Sequence, residues 1–294
     1  MAIILDGKAL AFEIKTELKA RVEKLKAAGK KIGLAAVLVG DNPASEVYVR
    51  NKAKFSEEIG VYSEIVRPPG NITTIGLITV ILALNDRADI TGIIVQSPLP
   101  KKINEKEVSE GIFPGKDVDG FHPQNMGRLV LGRPNYVPCT PAAILEILNR
   151  YGHSPAGKHC VIVGRGNIVG KPLAIMLAEK TLGNATVTVC HSATRDLAKH
   201  TRQADILVAA TGSPLLIKGD MVREGAVVID VGINRVEDRS NPKGYRLVGD
   251  VDFDSVSKKA EAITPVPGGV GPMTVAMLLS NTVKAAEKAR RLGG

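Results

Sequence analysis

The stretch HCVIVGRGNIVGKPLAIML, residues 159–177, decides how this chain is read. His159 to Gly164 is a short apolar run rich in β-branched residues, which fits a buried strand. GRGNIVGKP then turns tightly, and Pro172 to Thr181 has the composition of a helix. Gly164, Gly166 and Gly170 therefore fall where a backbone must bend sharply and approach a pyrophosphate at a helix N-terminus, with Arg165 and Ile168 between them. The spacing is GxGxxxG, one residue longer than the usual dinucleotide fingerprint. Glycines also cluster in ordinary turns, so it is the flanking strand and helix that favour a dinucleotide.

The strand that follows, ATVTVC, separates two cofactor types. An NAD site usually carries Asp or Glu at the end of this strand, bonded to the ribose hydroxyls. Here the strand ends in His191, Ser192, Ala193, Thr194 and Arg195, with no acid. Together with Arg165, these basic and hydroxyl groups suit a 2′-phosphate, and NADP is expected. The plain alternative leaves Arg165 and Arg195 as solvated surface residues.

Outward from this unit the chain alternates helices with short apolar strands, the pattern of an α/β protein with a mainly parallel sheet. A strand at Ile3 to Leu5 precedes a long amphipathic helix from about Lys8 to Ala28. IGLAAVLVG (Ile32 to Gly40) reads as a buried strand. Asn42 caps a helix with Pro43 in its first turn. A strand near Val61 to Val66, a helix near Thr73 to Leu84 and a strand from Ile90 to Gln96 follow, the last stopped by Pro98 and Pro100. Gly111 to Pro138 shows little periodicity and reads as an irregular functional segment or domain connection. Further strands fit DILVAAT and AVVIDVG, Arg235 to Val248 reads as a polar hairpin, and a helix closes the chain.

Composition narrows the function. The 294 residues are 44% hydrophobic and 23% charged, enough for one large domain or two medium ones. No run approaches the roughly 18–20 apolar residues that cross a bilayer. MAIILDGKAL lacks a basic region leading into an apolar core, so no secretory signal is expected. Cys139, Cys160 and Cys190 form neither a disulfide framework nor a zinc spacing, which favours a reducing cytoplasm. A net charge of +9 raises the question of nucleic acid, but Lys and Arg are interleaved with Glu, and there is no Trp to stack on bases. A small anionic substrate and a phosphorylated cofactor exploit the same charge.

Tyr48 and Lys52 lie four apart on the helix opened by Asn42, so they share one face. Ala44, Val47, Phe55 and Ile59 could pack that helix into a core and carry the lysine toward low dielectric, where it could act as acid or base. A Tyr-x-x-x-Lys match alone is weak, since lysine is common here. The same spacing occurs in short-chain dehydrogenases, where the glycine loop comes first; here Tyr48 and Lys52 precede Gly164. That order argues for a catalytic domain ahead of the cofactor domain.

VGDNPASEVYVRNKAK, VQSPLPKK, KDVDGFHPQNMGRL, PCTP, GRGNIVGKP, VTVCHSAT, VIDVGINR, GDVDF and TPVPGGVGPMT follow one another along the chain. In this order they resemble the bifunctional methylenetetrahydrofolate dehydrogenase/methenyltetrahydrofolate cyclohydrolase family, over essentially the whole length. The resemblance implies that Lys52 is the central acid/base group, that Tyr48 stacks on the pterin system, and that Gln96 hydrogen-bonds Lys52. Asp119, within KDVDG, would bind the pterin N–H groups. Pro267, Gly268 and Gly269 would approach the folate, while Gly164 to Gly166, Ser192 and Ile233 would contact NADP. By their residues alone, Gln96 would be a solvated strand end and Asp119 a turn residue. His122 and His191 are read as structural, with no metal site.

Two positions depart from the family pattern: Gly166 stands where Ser is common, and Ala143 where Gly is common. The resemblance further implies two α/β domains with a substrate cleft between them. Residues 1–118 with a returning helix 271–294 would bind folate, and residues 119–270 would form a Rossmann-like NADP domain. A homodimer acting on tetrahydrofolate derivatives is implied too. Competing readings are a dehydrogenase without cyclohydrolase activity, a non-catalytic dinucleotide-binding protein, and a basic nucleic-acid binder.

Overall fold

The computed structural model describes residues 2–238, 240–241 and 244–289, without the side chain of Ala44. In chain order the elements are β1 (Ile3–Ile4), α1 (Gly7–Ala27), β2 (Gly33–Val37), α2 (Pro43–Glu58), β3 (Tyr62–Val66), α3 (Thr74–Asp86), β4 (Gly92–Val95), α4 (Glu105–Gly111), α5 (Pro123–Val130) and α6 (Cys139–Arg150). There follow β5 (His159–Val163), α7 (Gly170–Ala178), β6 (Thr186–Cys190), α8 (Leu197–Thr201), β7 (Ile206–Ala209), β8 (Val227–Asp230), β9 (Asn234–Glu237), β10 (Tyr245–Val248), α9 (Phe253–Val256), β11 (Ala262–Ile263) and α10 (Val270–Lys288). They fall into two compact units, one built from Phe12–Cys139 and the chain from Val275 onward, the other from the chain up to Ala11 and Thr140–Thr274.

The first unit holds a three-stranded parallel sheet in the order β3-β2-β4. All five residues of β2 are buried, because a central parallel strand is covered on both faces. Leu77, Ile81 and Leu84, at helical spacing on α3, pack with Val37, Ile90 and Ile93 in its core. Each such side chain, fully buried, contributes about 1.5–3 kcal/mol. Thr73 caps α3 by accepting the Gly76 N–H at 3.1 Å. Lys116 closes the other end, its Nζ donating to the carbonyls of Leu84, Asn85 and Arg87 at 3.2, 2.6 and 2.7 Å.

The second unit holds a six-stranded parallel sheet in the order β1-β11-β8-β7-β5-β6, with an antiparallel hairpin of β9 and β10 beside it in sequence. From β5 the chain moves to the edge strand β6 and then returns to the other side of β5 as β7. The order therefore reverses between β5 and β7, the topological switch point where doubly wound sheets bind ligands. The fold is two-domain α/β, with a Rossmann-like dinucleotide domain as expected.

Several expectations need correcting. The stretch 111–138 is not irregular: it contains α5, capped by His122, whose Nδ1 accepts the Gln124 N–H at 3.0 Å. Gly127 and the helix's brevity hid it. The helix after the glycine loop starts at Gly170 and stops at Ala178, where Glu179 turns extended. Unit boundaries also differ from those expected. Residues 119–139 stay with the three-stranded unit, because Asn281 Nδ2 on α10 donates to the Val118 and Val137 carbonyls at 2.8 and 3.0 Å. β1 belongs instead to the six-stranded sheet, where Ile3 and Ile4 pair with Ala262 and Ile263. Two-residue pairing of this kind leaves no periodic signal in the sequence.

Candidate functional site

In the three-stranded unit, α2 begins where Asn42 Oδ1 accepts the Ser45 N–H at 3.1 Å. Its buried face is Ser45, Val49 and Ser56, and Ile59 just past its end is buried too. The expected apolar face is only partly right: Ile59 is buried and Phe55 half-buried, but Val47 is 58% exposed, and Ala44 lies outside the described side chains. Small hydroxyl residues let the helix sit close to its neighbours, and Ser56 satisfies its Oγ on the Lys52 carbonyl at 2.8 Å. Lys52 is half-buried, and its Nζ donates to Gln96 Oε1 at 3.1 Å. Gln96 lies just past β4, its backbone N–H tied to Val37 and its Nε2 donating to the Ser97 carbonyl at 2.6 Å. That second bond uses the amide's donor, so its oxygen is the atom facing the lysine. One turn before Lys52, the Tyr48 ring is 47% exposed and open to a stacking partner.

Asp119 is half-buried in a loop that its neighbour holds. Asp117 is buried, accepting the Gly120 N–H at 3.1 Å, the His122 N–H at 2.8 Å and Asn125 Nδ2 at 2.8 Å. Burial pushes the Asp117 carboxyl up, and these donors pull against it. Gly120, at φ +81°, packs against the backbone of Val137 and Pro138 so closely that a Cβ would lie 2.9 Å from both. Cys139, fully buried, donates from Sγ to the Val118 carbonyl at 3.3 Å. Burial raises its thiol well above the ordinary range; the carboxylates of Asp119 and Asp117 add to this and Lys52 opposes it. Asp119 and Lys52 thus both lie within electrostatic reach of Cys139, and Gln96 is bonded to Lys52. Asp117, Asn125 and Asn281 are the residues the sequence reading missed. The doubled aspartate of KDVDG was the available signal, and it does not say which of the two points inward.

In the six-stranded unit, Gly164 follows β5 at φ +130°, and a Cβ there would lie 2.1 Å from the Ala210 carbonyl oxygen. A Cβ on Gly170 would lie 2.1 Å from the Gly164 carbonyl oxygen, so both must be glycine. Gly166 is different: it faces open space, with nothing within 4 Å of its Cβ position. The loop from Gly164 thus runs along the switch point into the N-terminus of α7, whose Lys171 and Leu173 N–H groups bond the Gly166 and Val169 carbonyls at 3.1 and 2.9 Å. Arg165, Gly166, Ile168, Ser192 and Ile233 are all exposed. The next acid after β6, Asp196, caps α8 through the Lys199 N–H at 3.3 Å. No carboxylate therefore stands at the end of β6, and Arg165 and Ser192 are free to take a 2′-phosphate. The residues present fit NADP.

Pro267, Gly268 and Gly269 form a loop before α10. Gly268 adopts φ +112°, and its carbonyl accepts the Lys8 N–H at 2.9 Å. His191 Nδ1 accepts the Ala193 N–H at 3.2 Å, so like His122 it organises its own turn. No cluster of metal-ligating side chains occurs among the described residues. A cavity of about 960 Å³ in the three-stranded unit lies near Ile90, Thr91 and Tyr136, at the strands' N-terminal ends. Lys52 and Gln96 lie toward the opposite ends, and two of the cavity's lysines, Lys30 and Lys116, already cap helix carbonyls.

The chain resembles known proteins over nearly its whole length. Residues 5–119 match the model of the tetrahydrofolate dehydrogenase/cyclohydrolase catalytic domain, and residues 138–290 that of the corresponding NAD(P)-binding domain. A protein from Chloroherpeton thalassium named bifunctional protein FolD is 57% identical, covering 97% of this chain and 98% of its own. The crystal structure of the bifunctional FolD enzyme, methylenetetrahydrofolate dehydrogenase/cyclohydrolase, from Campylobacter jejuni superposes with a TM-score of 0.93 at 50% identity, covering 98% and 99% of the two chains. That of the Trypanosoma brucei methylenetetrahydrofolate dehydrogenase-cyclohydrolase, complexed with NADP and an inhibitor, gives 0.92 at 42% identity, covering 97% of each. The buried Asp117 turn, the Lys52–Gln96 pair and the glycine loop at the switch point thus stand in a chain that belongs to the tetrahydrofolate dehydrogenase/cyclohydrolase family.

Proposed function

We propose that this chain oxidises 5,10-methylenetetrahydrofolate to the methenyl cation with NADP and hydrolyses that cation to 10-formyltetrahydrofolate, using Lys52, Gln96, Tyr48 and Asp119. The observation that carries the reading is the Lys52 Nζ to Gln96 Oε1 bond, made beside the Asp119 loop. NADP, when bound, supplies the two-electron acceptor for oxidation of the one-carbon bridge. The chain's own contribution to that step is positioning. Tyr48 presents an exposed ring for the pterin to stack on, and Asp119 accepts the pterin N–H groups, a paired contact that gives orientation as well as affinity. Pro267, Gly268 and Gly269 offer the folate a backbone surface without side-chain bulk.

Hydrolysis needs proton movement. Water adds to the methenyl carbon, the carbon–N5 bond breaks, and the formyl group stays on N10. One of the water's protons ends on N5 and the other leaves to solvent. Lys52 carries these transfers, and Gln96 fixes its amine. On the cofactor side, Gly164, Gly166 and Gly170 admit the pyrophosphate, Arg165 and Ser192 take the 2′-phosphate, and Ile168 and Ile233 offer apolar surface. The three-stranded unit is the folate-binding part and the six-stranded unit the cofactor-binding part.

The protein works as a cytoplasmic homodimer, with the β9–β10 arm in the interface. Within that arm Arg235 stacks 4.7 Å from the Tyr245 ring centre. Among the described residues, no helix is long and apolar enough to cross a membrane. Paired cations such as Arg87, bonded to both Glu64 and Asp89, speak against a nucleic-acid face. The test is an absorbance assay for methenyltetrahydrofolate with NADP and with NAD, followed by its hydrolysis without cofactor. In Lys52→Met, cyclohydrolase activity falls by about 100-fold or more while NADP binding persists. Full hydrolysis by that variant, or an NADP/NAD preference near unity or below, contradicts the assignment.

A further inference from the structure

The six-stranded unit contains a pair of buried aspartates outside every role given above. Asp230 ends β8 and is 4% exposed; Asp250 follows β10 and is fully buried. Asp230 Oδ1 accepts the N–H groups of Gly232 and Asp250, both at 2.9 Å, and its Oδ2 accepts that of Val251 at 3.0 Å. Asp250 Oδ2 accepts the Thr211 and Gly212 N–H groups at 2.6 and 3.0 Å, and its Oδ1 accepts Asn234 Nδ2 at 2.9 Å. Neither carboxylate forms an ion pair among the described residues. Backbone N–H dipoles carry the compensation.

The two side chains also dictate their surroundings. A Cβ on Gly249 would lie 1.7 Å from Asp230 Oδ2, and one on Gly232 would lie 2.2 Å from Asp250 Oδ1. This explains both glycines, in VIDVGINR and VGDVDF, by space rather than by backbone angle. A buried charge without a countercharge is costly, and substituting a neutral isostere would remove that cost if shape were all that mattered.

What the pair holds is informative. Thr211 and Gly212 form the loop after β7, and Ala210, just before them, is the residue whose carbonyl the Gly164 turn nearly touches. That contact is the switch point itself, one wall being the glycine loop and the other Ala210–Gly212. Gly232 leads directly into exposed Ile233. Asp250 therefore clamps the second wall of the dinucleotide crevice, and Asp230 clamps Asp250.

We propose that Asp250, supported by Asp230, is a positioning residue for NADP: it fixes the Thr211–Gly212 wall and the Gly232–Ile233 turn against which the cofactor lies. The proposal rests on the functional reading above, in which NADP occupies this crevice. Asn at position 250 offers one acceptor oxygen and turns an NH2 group toward a donor, so either both loop N–H groups or the Asn234 amide lose their partner.

The test is Asp250→Asn, with NADP affinity measured by titration, steady-state kinetics in both substrates, cyclohydrolase turnover and thermal melting. The expected result is a rise of about tenfold or more in the NADP dissociation constant and KM, the fold-change for losing one or two bonds to a charged acceptor. The folate KM moves by less than about threefold, and cyclohydrolase turnover persists, since its machinery lies on the other unit. Asp250→Glu does not rescue, because Gly232 leaves no room for another methylene. NADP affinity within twofold of wild type overturns the proposal; so does an equal loss of both activities alongside a lowered melting temperature, which marks a purely structural role. If Asp250→Asn does not fold, Asn234→Ala removes one bond of the same clamp, and an unchanged NADP affinity there overturns it. A wild-type protein that fails to bind NADP sinks the functional reading itself, a result separable from all of these.

Discussion

Replacing Asp117 with alanine is the sharpest test of how the folate-side site is built. The side chain accepts three hydrogen bonds, from Gly120, His122 and Asn125, and is 3% exposed. Truncation leaves two backbone N–H groups and one amide hydrogen without that partner, each orphan costing about 1–3 kcal/mol. Asn125 suffers most: it is fully buried, its Oδ1 already lacks a partner, and only the Pro114 carbonyl at 2.9 Å would remain to its Nδ2. Removing a carboxylate whose charge burial disfavours offsets part of the loss. The net destabilisation is about 2–4 kcal/mol, or roughly 4–15 °C in melting temperature for a unit of this size. Because Asp117 shapes the turn bearing Asp119, the folate KM rises by about tenfold or more. NADP affinity, set on the other unit, stays within about twofold. Thermal melting, folate titration of the dehydrogenase rate and NADP binding together make the assay. A melting shift under about 2 °C with an unchanged folate KM would falsify the idea that this carboxylate organises the turn.

Other expectations follow from the cofactor side. Gly166 faces open space, so Gly166→Ser should fold normally and, by adding a hydroxyl donor at the phosphate, tighten NADP by about two- to tenfold; weaker binding contradicts the placement. Gly170→Ala, whose Cβ would meet a carbonyl oxygen at 2.1 Å, should abolish NADP binding while sparing hydrolysis, and retained affinity would refute the close approach. Burial and the neighbouring Asp250 push the Asp230 carboxyl up to about 6, against an ordinary 3.8. The folded state then holds its proton longer than the unfolded chain, so this group's contribution is greatest at low pH and falls as pH rises from about 4 to about 6, by roughly 3 kcal/mol. In Asp230→Asn that slope disappears; urea unfolding curves that change with pH identically for both proteins rule the shift out.

The local sequence determined a good deal about this protein. The apolar runs at Gly33–Val37 and His159–Val163 and the Asn42-Pro43 cap specify their elements from neighbours alone, since strand burial and helix capping are decided within a few residues. The Gly164, Gly166 and Gly170 spacing likewise announced a turn close to a helix N-terminus. Ordered motifs then carried the family, the cofactor and both reactions. What only the tertiary structure decided is which polar groups face inward. Asp117 and Asp119 are alike in sequence, yet one is buried beneath three donors and the other is half-exposed. Asp230 and Asp250 lie in different motifs and meet only when the turn after β10 is brought to the end of β8. β1 joined a sheet whose other strands lie far along the chain. Hydrogen-bond partners separated by many residues leave no periodicity to read, and the cost of burying a charge fixes its position only after the donors that compensate it have been gathered by the fold.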